Sequence, residues 1–176
     1  MKKIPLRPAL IALSLACTVA TTLSSHGVHA QDAPPAKKQR APLPGMHAYD
    51  ENADPAKDLQ AALAKARAGH KRVLIVFGAN WCPDCRVLDG EFHGTSPTAE
   101  LVAKRYEVVK VDVGNFDRNL DFAKLYGEPI KKGIPSVVIV TPSNEVVYQT
   151  KAGELADSRS LGANGIHDFF REKAGS

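Results

Sequence analysis

The sequence predicts an α/β domain in which helices pack against a central sheet. One apolar run without polar alternation, Val73–Phe77, is typical of a buried central strand, and Val137–Val140 is a second apolar run. Before, between and after these runs, apolar residues recur at helical spacing. The resulting order is helix, strand, helix, strand, helix, strand, strand, helix, and such an order packs helices against a sheet in layers.

Eight segments make up this prediction, with the second helix divided in two. In chain order they are a helix from Pro55 to Gly69, a strand over Val73–Phe77, a helix after residue 82 that Gly90 and Gly94 weaken, a helix that restarts at Ser96-Pro97 and runs to about Arg105, a strand over Tyr106–Val111, a helix over Asp117–Tyr126, a hairpin of Val137–Thr141 and Val146–Thr150, and a closing helix over Ile166–Lys173.

Local signals justify the ends and faces of these elements. Asp54 before Pro55 is an N-cap followed by a residue that suits the first helical position, and Ser96-Pro97 repeats that pattern. Gly69 is a helix stop, and Pro142-Ser143-Asn144 is a turn between two strands. The apolar residues at helical spacing are Leu59, Ala62, Leu63 and Ala66 in the first helix, and Leu120, Ala123 and Leu125 in the helix before the hairpin.

Residues 1–30 are predicted to be a secretory signal peptide. Three basic residues come first, Ala9–Leu23 is mostly apolar, and Val28-His29-Ala30 is a small-x-small cleavage site, so cleavage is expected after Ala30. The protein is then periplasmic or secreted. Two alternatives stay open: an uncleaved anchor, and a membrane lipoprotein acylated at Cys17, where Ser14 stands in place of the aliphatic residue expected in a lipoprotein box.

A linker and one domain are expected after the signal peptide. Residues 31–49 contain four prolines and several basic residues, which predicts a flexible Pro-rich linker. Residues 50–176 form the domain. Residues 1–30 hold three of the 23 Lys and Arg residues and none of the 19 Asp and Glu residues, so their removal lowers the formal net charge from +4 to +1. Nothing in this charge balance indicates nucleic-acid binding.

The sequence Trp81-Cys82-Pro83-Asp84-Cys85 is the main functional signal. It follows the apolar strand and begins a helix, which is the arrangement for reversible dithiol–disulfide chemistry. With Cys82 at the N-cap, orphan backbone N–H groups and the helix dipole favour the thiolate. Pro83 fits the first helical position, and Cys85 lies one turn further on, within reach of Cys82. The chain has three cysteines, and only this pair remains once Cys17 is removed.

These residues resemble the active site of the thioredoxin family. Gly133-Ile134-Pro135-Ser136, before an apolar strand, is similar to that family's cis-proline loop. The resemblance covers roughly residues 54–173 and implies the thioredoxin fold, a mixed central sheet with helices on both faces. The divided helix after the motif resembles periplasmic thioredoxin-like domains, such as the C-terminal domain of DsbD.

The resemblance implies roles for the candidate site residues. Cys82 is the exposed nucleophile and Cys85 resolves the mixed disulfide. Trp81 limits access to Cys82, and a cis bond before Pro135 lets the backbone of Ile134 pair with an extended substrate. Apart from the resemblance, the Asp84 carboxylate is expected to raise the pKa of Cys82 relative to a histidine at that position, which favours a reductant.

One departure from the family is apparent at Val76. The family has a buried acid six residues before the first cysteine, which helps to deprotonate the resolving cysteine, whereas this chain has valine there. Another group, such as Asp84 or Glu91 acting through water, is expected to move the proton.

The expected function is an exported thiol–disulfide oxidoreductase that reduces disulfides of periplasmic proteins. No cofactor is expected, because the cysteine pair carries the electrons. We expect a monomer whose partners are protein thiols and disulfides and a membrane electron donor of DsbD type. The alternatives are a disulfide oxidase or isomerase and, in another class, a metal-handling module such as a copper-delivery protein. No metal site is expected, since no second cysteine pair completes a four-ligand zinc site.

Overall fold

The apolar runs form a four-stranded mixed sheet in a computed structural model that describes residues 48–174. The strands are β1 (Arg72–Gly78), β2 (Tyr106–Asp112), β3 (Ser136–Val140) and β4 (Val146–Gln149). Their order across the sheet is β2-β1-β3-β4. β1 runs parallel to β2 and antiparallel to β3, and β3 and β4 form an antiparallel hairpin. β1, whose apolar run lacks polar alternation, therefore lies between two other strands of the sheet, as its pattern predicts.

Five α-helices and a short 3-10 helix surround the sheet in the described part of the chain. They are α1 (Pro55–Gly69), α2 (Pro83–Glu91), α3 (Pro97–Arg105), α4 (Leu120–Lys124), the 3-10 helix (Pro129–Lys132) and α5 (Ser158–Ala174). The predicted caps are present: the Asp54 carboxylate accepts hydrogen bonds from the N–H groups of Ala56 and Lys57, and the Ser96 hydroxyl accepts one from Ala99.

Alternate residues of β1 point to two separate cores on opposite faces of the sheet. On one face, Ile75 and Phe77 pack with Leu63 of α1. On the other face, Leu74 and Val76 belong to a second cluster. That second cluster also contains Leu88 of α2, Val102 of α3 and Ile166 and Phe170 of α5. Helices therefore cover both faces, which confirms the predicted α/β class and thioredoxin fold.

Two helices differ from their predicted bounds. α4 begins at Leu120 rather than Asp117, because Phe116 and Asn119 have φ values of 64° and 52° and form a turn before it. α5 begins at Ser158, eight residues before the predicted Ile166, and bends at Gly162, which has φ 63° and ψ 178°. The prediction missed this first part because glycine and asparagine are poor helix formers.

The described residues begin inside the predicted linker. Tyr49, the last residue of that linker, is 2% exposed and belongs to the core that contains Phe77. It is therefore part of the domain. The predicted signal peptide, Cys17 and the rest of the linker lie outside the described residues. Within residues 48–174, every helix is too short or too polar to cross a membrane.

Candidate active site

The topology brings the two sequence motifs to the same end of the sheet. β1 ends at Gly78 and the chain reaches Cys82 four residues later. β3 runs antiparallel to β1, and its first residue, Ser136, pairs with Phe77 near that end. The loop that precedes β3 therefore lies beside the cysteines. In this loop the Ile134–Pro135 peptide bond is cis, and the Ile134 carbonyl oxygen is 3.6 Å from Cys82 Sγ.

Cys82 occupies the N-cap of α2, as the sequence predicts. Its φ and ψ angles are −80° and 115°, Pro83 follows at the first helical position, and Cys82 Sγ accepts a hydrogen bond of 3.1 Å from the Cys85 N–H. Cys82 and Cys85 form a disulfide, with Cα atoms 5.2 Å apart. When this bond is reduced, the same N–H group and the helix dipole stabilise a thiolate on Cys82.

Cys82 is not the exposed residue that the sequence analysis expected. It is 3% exposed, and Cys85 is completely buried. The cis-proline loop lies against the sulfur of Cys82 through the Ile134 carbonyl, which explains the low exposure. In the disulfide form, the Cys82 sulfur is therefore covered, with the Ile134 carbonyl oxygen as one of its neighbours.

Trp81 is held beside the motif by the loop after β2. Its indole N–H donates a 2.8 Å hydrogen bond to the Gly114 carbonyl. Its ring meets the ring of Phe116 edge to face, with centroids 6.2 Å apart. Trp81 thus joins the end of β1 to the loop after β2, and Phe116, which is 42% exposed, extends this aromatic surface outward.

Asp84 has a partner that the sequence did not indicate. One carboxylate oxygen accepts hydrogen bonds from the backbone N–H of Arg159 at 3.0 Å and from its guanidinium Nε at 3.1 Å. Burial acts to raise the pKa of Asp84, but the two hydrogen bonds and the charge of Arg159 together lower it below its usual value. The carboxylate between the cysteines is therefore ionised, and a guanidinium partly offsets its charge.

Two residues near the motif escaped the sequence analysis. Arg159 is 75 positions from Asp84, and no local pattern links them. Tyr49 lies in a segment that composition assigned to a linker, although an aromatic residue five positions before the N-cap Asp54 could have indicated a buried anchor. Val76 is 2% exposed in the second core, so the position of the family's acid is filled by an apolar side chain.

The part of the chain that the structure describes contains no cluster of potential metal ligands. Residues 48–174 hold no group of three or more His, Cys, Asp and Glu side chains that could bind a metal ion. The arrangement around Cys82 and Cys85 instead suits exchange of a disulfide between this pair and a substrate.

Comparisons with known proteins agree with this geometry. The family model described as thioredoxin-like matches residues 54–142. A disulphide isomerase from Xylella fastidiosa Temecula1 is 51% identical, has a TM-score of 0.68, and is matched over 70% of this chain and 94% of its own. A thioredoxin from Buchnera aphidicola subsp. Baizongia pistaciae (strain Bp) is 33% identical over 90 residues, which are 49% of this chain and 69% of the thioredoxin.

The structural likeness to DsbD is more distant. The reduced C-terminal domain of DsbD from Neisseria meningitidis is 21% identical, has a TM-score of 0.45, and is matched over 69% of this chain and 97% of its own. The chain belongs to the thioredoxin-like family, and it is a thiol–disulfide oxidoreductase.

Proposed function

We propose that this protein reduces disulfide bonds of other exported proteins, with Cys82 as the attacking sulfur and Cys85 as the resolving sulfur. The observation that carries the proposal is the position of Cys82 Sγ, which lies at the N-cap of α2 and beside the backbone of Ile134. The Cys82 thiolate attacks a substrate disulfide and forms a mixed disulfide. Cys85 then attacks Cys82 Sγ, and the substrate leaves with both electrons.

A recess beside the cis-proline loop supports a protein substrate. It has a volume of about 480 Å³ and opens to solvent between α4 and the 3-10 helix. Its lining is mainly apolar and carries charged residues as well: Phe116, Leu120, Ala123, Lys124, Glu128, Ile130, Lys131 and Gly133. An extended peptide that pairs with the backbone of Ile134 could place an apolar side chain there.

Asp84 favours electron flow from this protein to its substrates. A carboxylate between the cysteines disfavours the Cys82 thiolate, which favours the disulfide form of the protein and makes the dithiol a better reductant. Arg159 reduces this effect without removing it, because its guanidinium is more than half exposed and thus screened by solvent. The proposed site is the periplasm, the proposed electron donor is a membrane protein of DsbD type, and no cofactor is needed.

An insulin-reduction assay with dithiothreitol tests the proposed roles. The protein should accelerate precipitation of the insulin chains. Cys82→Ser should abolish this activity, because no attacking thiolate remains. Cys85→Ser should form mixed disulfides with substrate that are not released. Activity of Cys82→Ser equal to that of the unchanged protein would show that the proposed nucleophile is wrong.

Isomerisation is a second candidate, favoured by the 51% identity to the Xylella disulphide isomerase. Isomerisation needs attack and release by Cys82 only, whereas net reduction also needs Cys85. Reactivation of scrambled ribonuclease separates the two functions. A reductase should lose this activity in Cys85→Ser, and retention of most of it would assign the protein to isomerisation.

A further inference from the structure

The resolving sulfur of Cys85 lies in a fully buried position and must lose its proton before it can attack Cys82. Burial in apolar surroundings disfavours a thiolate. The family's acid is replaced by Val76, which faces the second core. Asp84, one of the two replacements suggested by the sequence, is instead bound to Arg159. The family pattern therefore does not identify the group that assists Cys85, and the groups that border its sulfur become relevant.

The Tyr49 hydroxyl and the Cys85 sulfur both border the side of Gly78 that lacks a side chain. A Cβ atom on Gly78 would lie 3.0 Å from Cys85 Sγ and would overlap the hydroxyl oxygen and Cζ of Tyr49. The sulfur and the hydroxyl therefore border the same small space, which exists only because residue 78 has no side chain. Both residues belong to the same buried cluster.

The backbone of Tyr49 is fixed to the loop that precedes Cys82. The Asn80 side chain, itself 3% exposed, accepts a 3.0 Å hydrogen bond from the Tyr49 N–H and donates a 2.8 Å hydrogen bond to the Tyr49 carbonyl. This buried two-point contact spans 31 positions of sequence. It sets Tyr49 in one position relative to the cysteine motif.

The surroundings of Tyr49 keep its hydroxyl protonated. Burial, followed by the negative charges of Asp89 and Asp112, raises the pKa of Tyr49 far above its usual value. Both carboxylates have cationic partners of their own, Lys110 for Asp89 and Arg118 for Asp112. A neutral phenol at this place is a hydrogen-bond donor.

We propose that the Tyr49 hydroxyl donates a hydrogen bond to the Cys85 sulfur and stabilises its thiolate during resolution of the mixed disulfide. The Cys85 thiol gives its proton to water, and its thiolate attacks Cys82 Sγ. The Cys82–Cys85 bond forms as the bond from Cys82 to the substrate sulfur breaks. The substrate sulfur leaves with the electron pair and takes a proton from water. This inference rests on the roles proposed above for Cys82 and Cys85.

Tyr49→Phe tests the inference, because it removes only the hydroxyl. Reduced protein is mixed with glutathione disulfide, samples are quenched with acid, and intact masses count the reduced, mixed-disulfide and oxidised forms. Loss of a hydrogen bond to a charged sulfur lowers the thiolate fraction, and the higher nucleophilicity of a more basic thiolate offsets part of that loss. The second step should therefore slow about three- to tenfold, and the mixed disulfide should accumulate. The first step, attack by Cys82, should not change.

Tyr106→Phe is the matched control. Tyr106 is also buried and is the first residue of β2, where it pairs with Arg72 at the end of the sheet away from the cysteines. Its loss of a hydroxyl should change neither step. An unchanged second step in Tyr49→Phe, or equal slowing of both steps, would overturn the inference. Failure of the proposed nucleophile is a different result, since Cys82→Ser would then still form the mixed disulfide.

Discussion

At the scale of single residues, the pair of Asp84 and Arg159 places two opposite charges next to the cysteine motif. The carboxylate lies within the motif, and its partner comes from the start of α5. The two charges act on the Cys82 thiolate in opposite directions: Asp84 disfavours it and Arg159 favours it. Removal of Asp84 and removal of Arg159 should therefore shift the reduction potential of the disulfide in opposite directions.

The first prediction concerns this potential. Asp84→Asn should raise it by about 10–30 mV, where about 30 mV corresponds to roughly 1.4 kcal/mol, because the reduced thiolate gains stability. Arg159→Gln should lower it by a smaller amount, since the guanidinium is more than half exposed. Equilibration with glutathione, followed by Trp81 fluorescence, measures both shifts. Shifts of the same sign would contradict the electrostatic argument.

The second prediction concerns the stability of the fold at acidic pH. The pKa of Asp84 is lower in the folded protein than in the unfolded chain, so its contacts stabilise the fold fully above about pH 4. That stabilisation is lost as the pH falls through the lowered pKa. The difference in unfolding free energy between the unchanged protein and Asp84→Asn should thus shrink below about pH 4. Urea denaturation at neutral pH and in acid checks this, and a difference that grows in acid would refute it.

At the scale of elements, the glycines in β1 and α2 have opposite effects on the stability of the fold. Gly78 ends β1 where a Cβ atom would press on Cys85 Sγ and the Tyr49 hydroxyl. Gly90 lies in α2, and a Cβ atom there would meet nothing within 4 Å. One glycine is therefore required by packing, whereas the other only lowers helix propensity.

The third prediction follows from this contrast. Gly78→Ala should destabilise the protein by about 1–3 kcal/mol, because overpacking forces buried groups apart. Gly90→Ala should stabilise it by about 0.5–1 kcal/mol. Chemical denaturation of the oxidised proteins measures both changes. If Gly78→Ala left the free energy of unfolding unchanged, the Tyr49 hydroxyl would have to move freely. That result would also weaken its proposed role at Cys85.

The elements also show what sequence patterns could and could not predict. The strands and α1 were predictable because apolar runs and caps act locally, and the Cys82 N-cap followed from the same rules. The first part of α5 was not predictable, because Gly162 and Gly165 disfavour a helix there and a contact 75 positions away, between Asp84 and Arg159, holds it in place. Tyr49 was missed for the same reason, since Asn80 fixes it across 31 positions.

At the scale of the whole molecule, the cysteine content fits both the proposed export and the thiol chemistry of the site. Without residues 1–30, the chain would have only Cys82 and Cys85, and these two form one disulfide at the end of a sheet rather than a framework that holds a small fold together. Two separate apolar cores stabilise the domain instead. A chain of this kind can cycle between dithiol and disulfide in an oxidising compartment, because its fold has other sources of stability.

The last prediction concerns the proposed export and is tested by the N-terminal residue of the processed chain. When the full chain is produced in a Gram-negative bacterium, intact mass spectrometry of the periplasmic fraction should show a protein that begins at Gln31, since Val28-His29-Ala30 fits signal-peptide cleavage. Cys17→Ser is the control: it should leave this mass and the yield unchanged, because Cys17 belongs to the removed segment. Acylated Cys17 at the N-terminus, together with loss of processing in Cys17→Ser, would instead make the protein a membrane lipoprotein. In that case the same domain would act from a lipid anchor, with residues 18–47 as its tether.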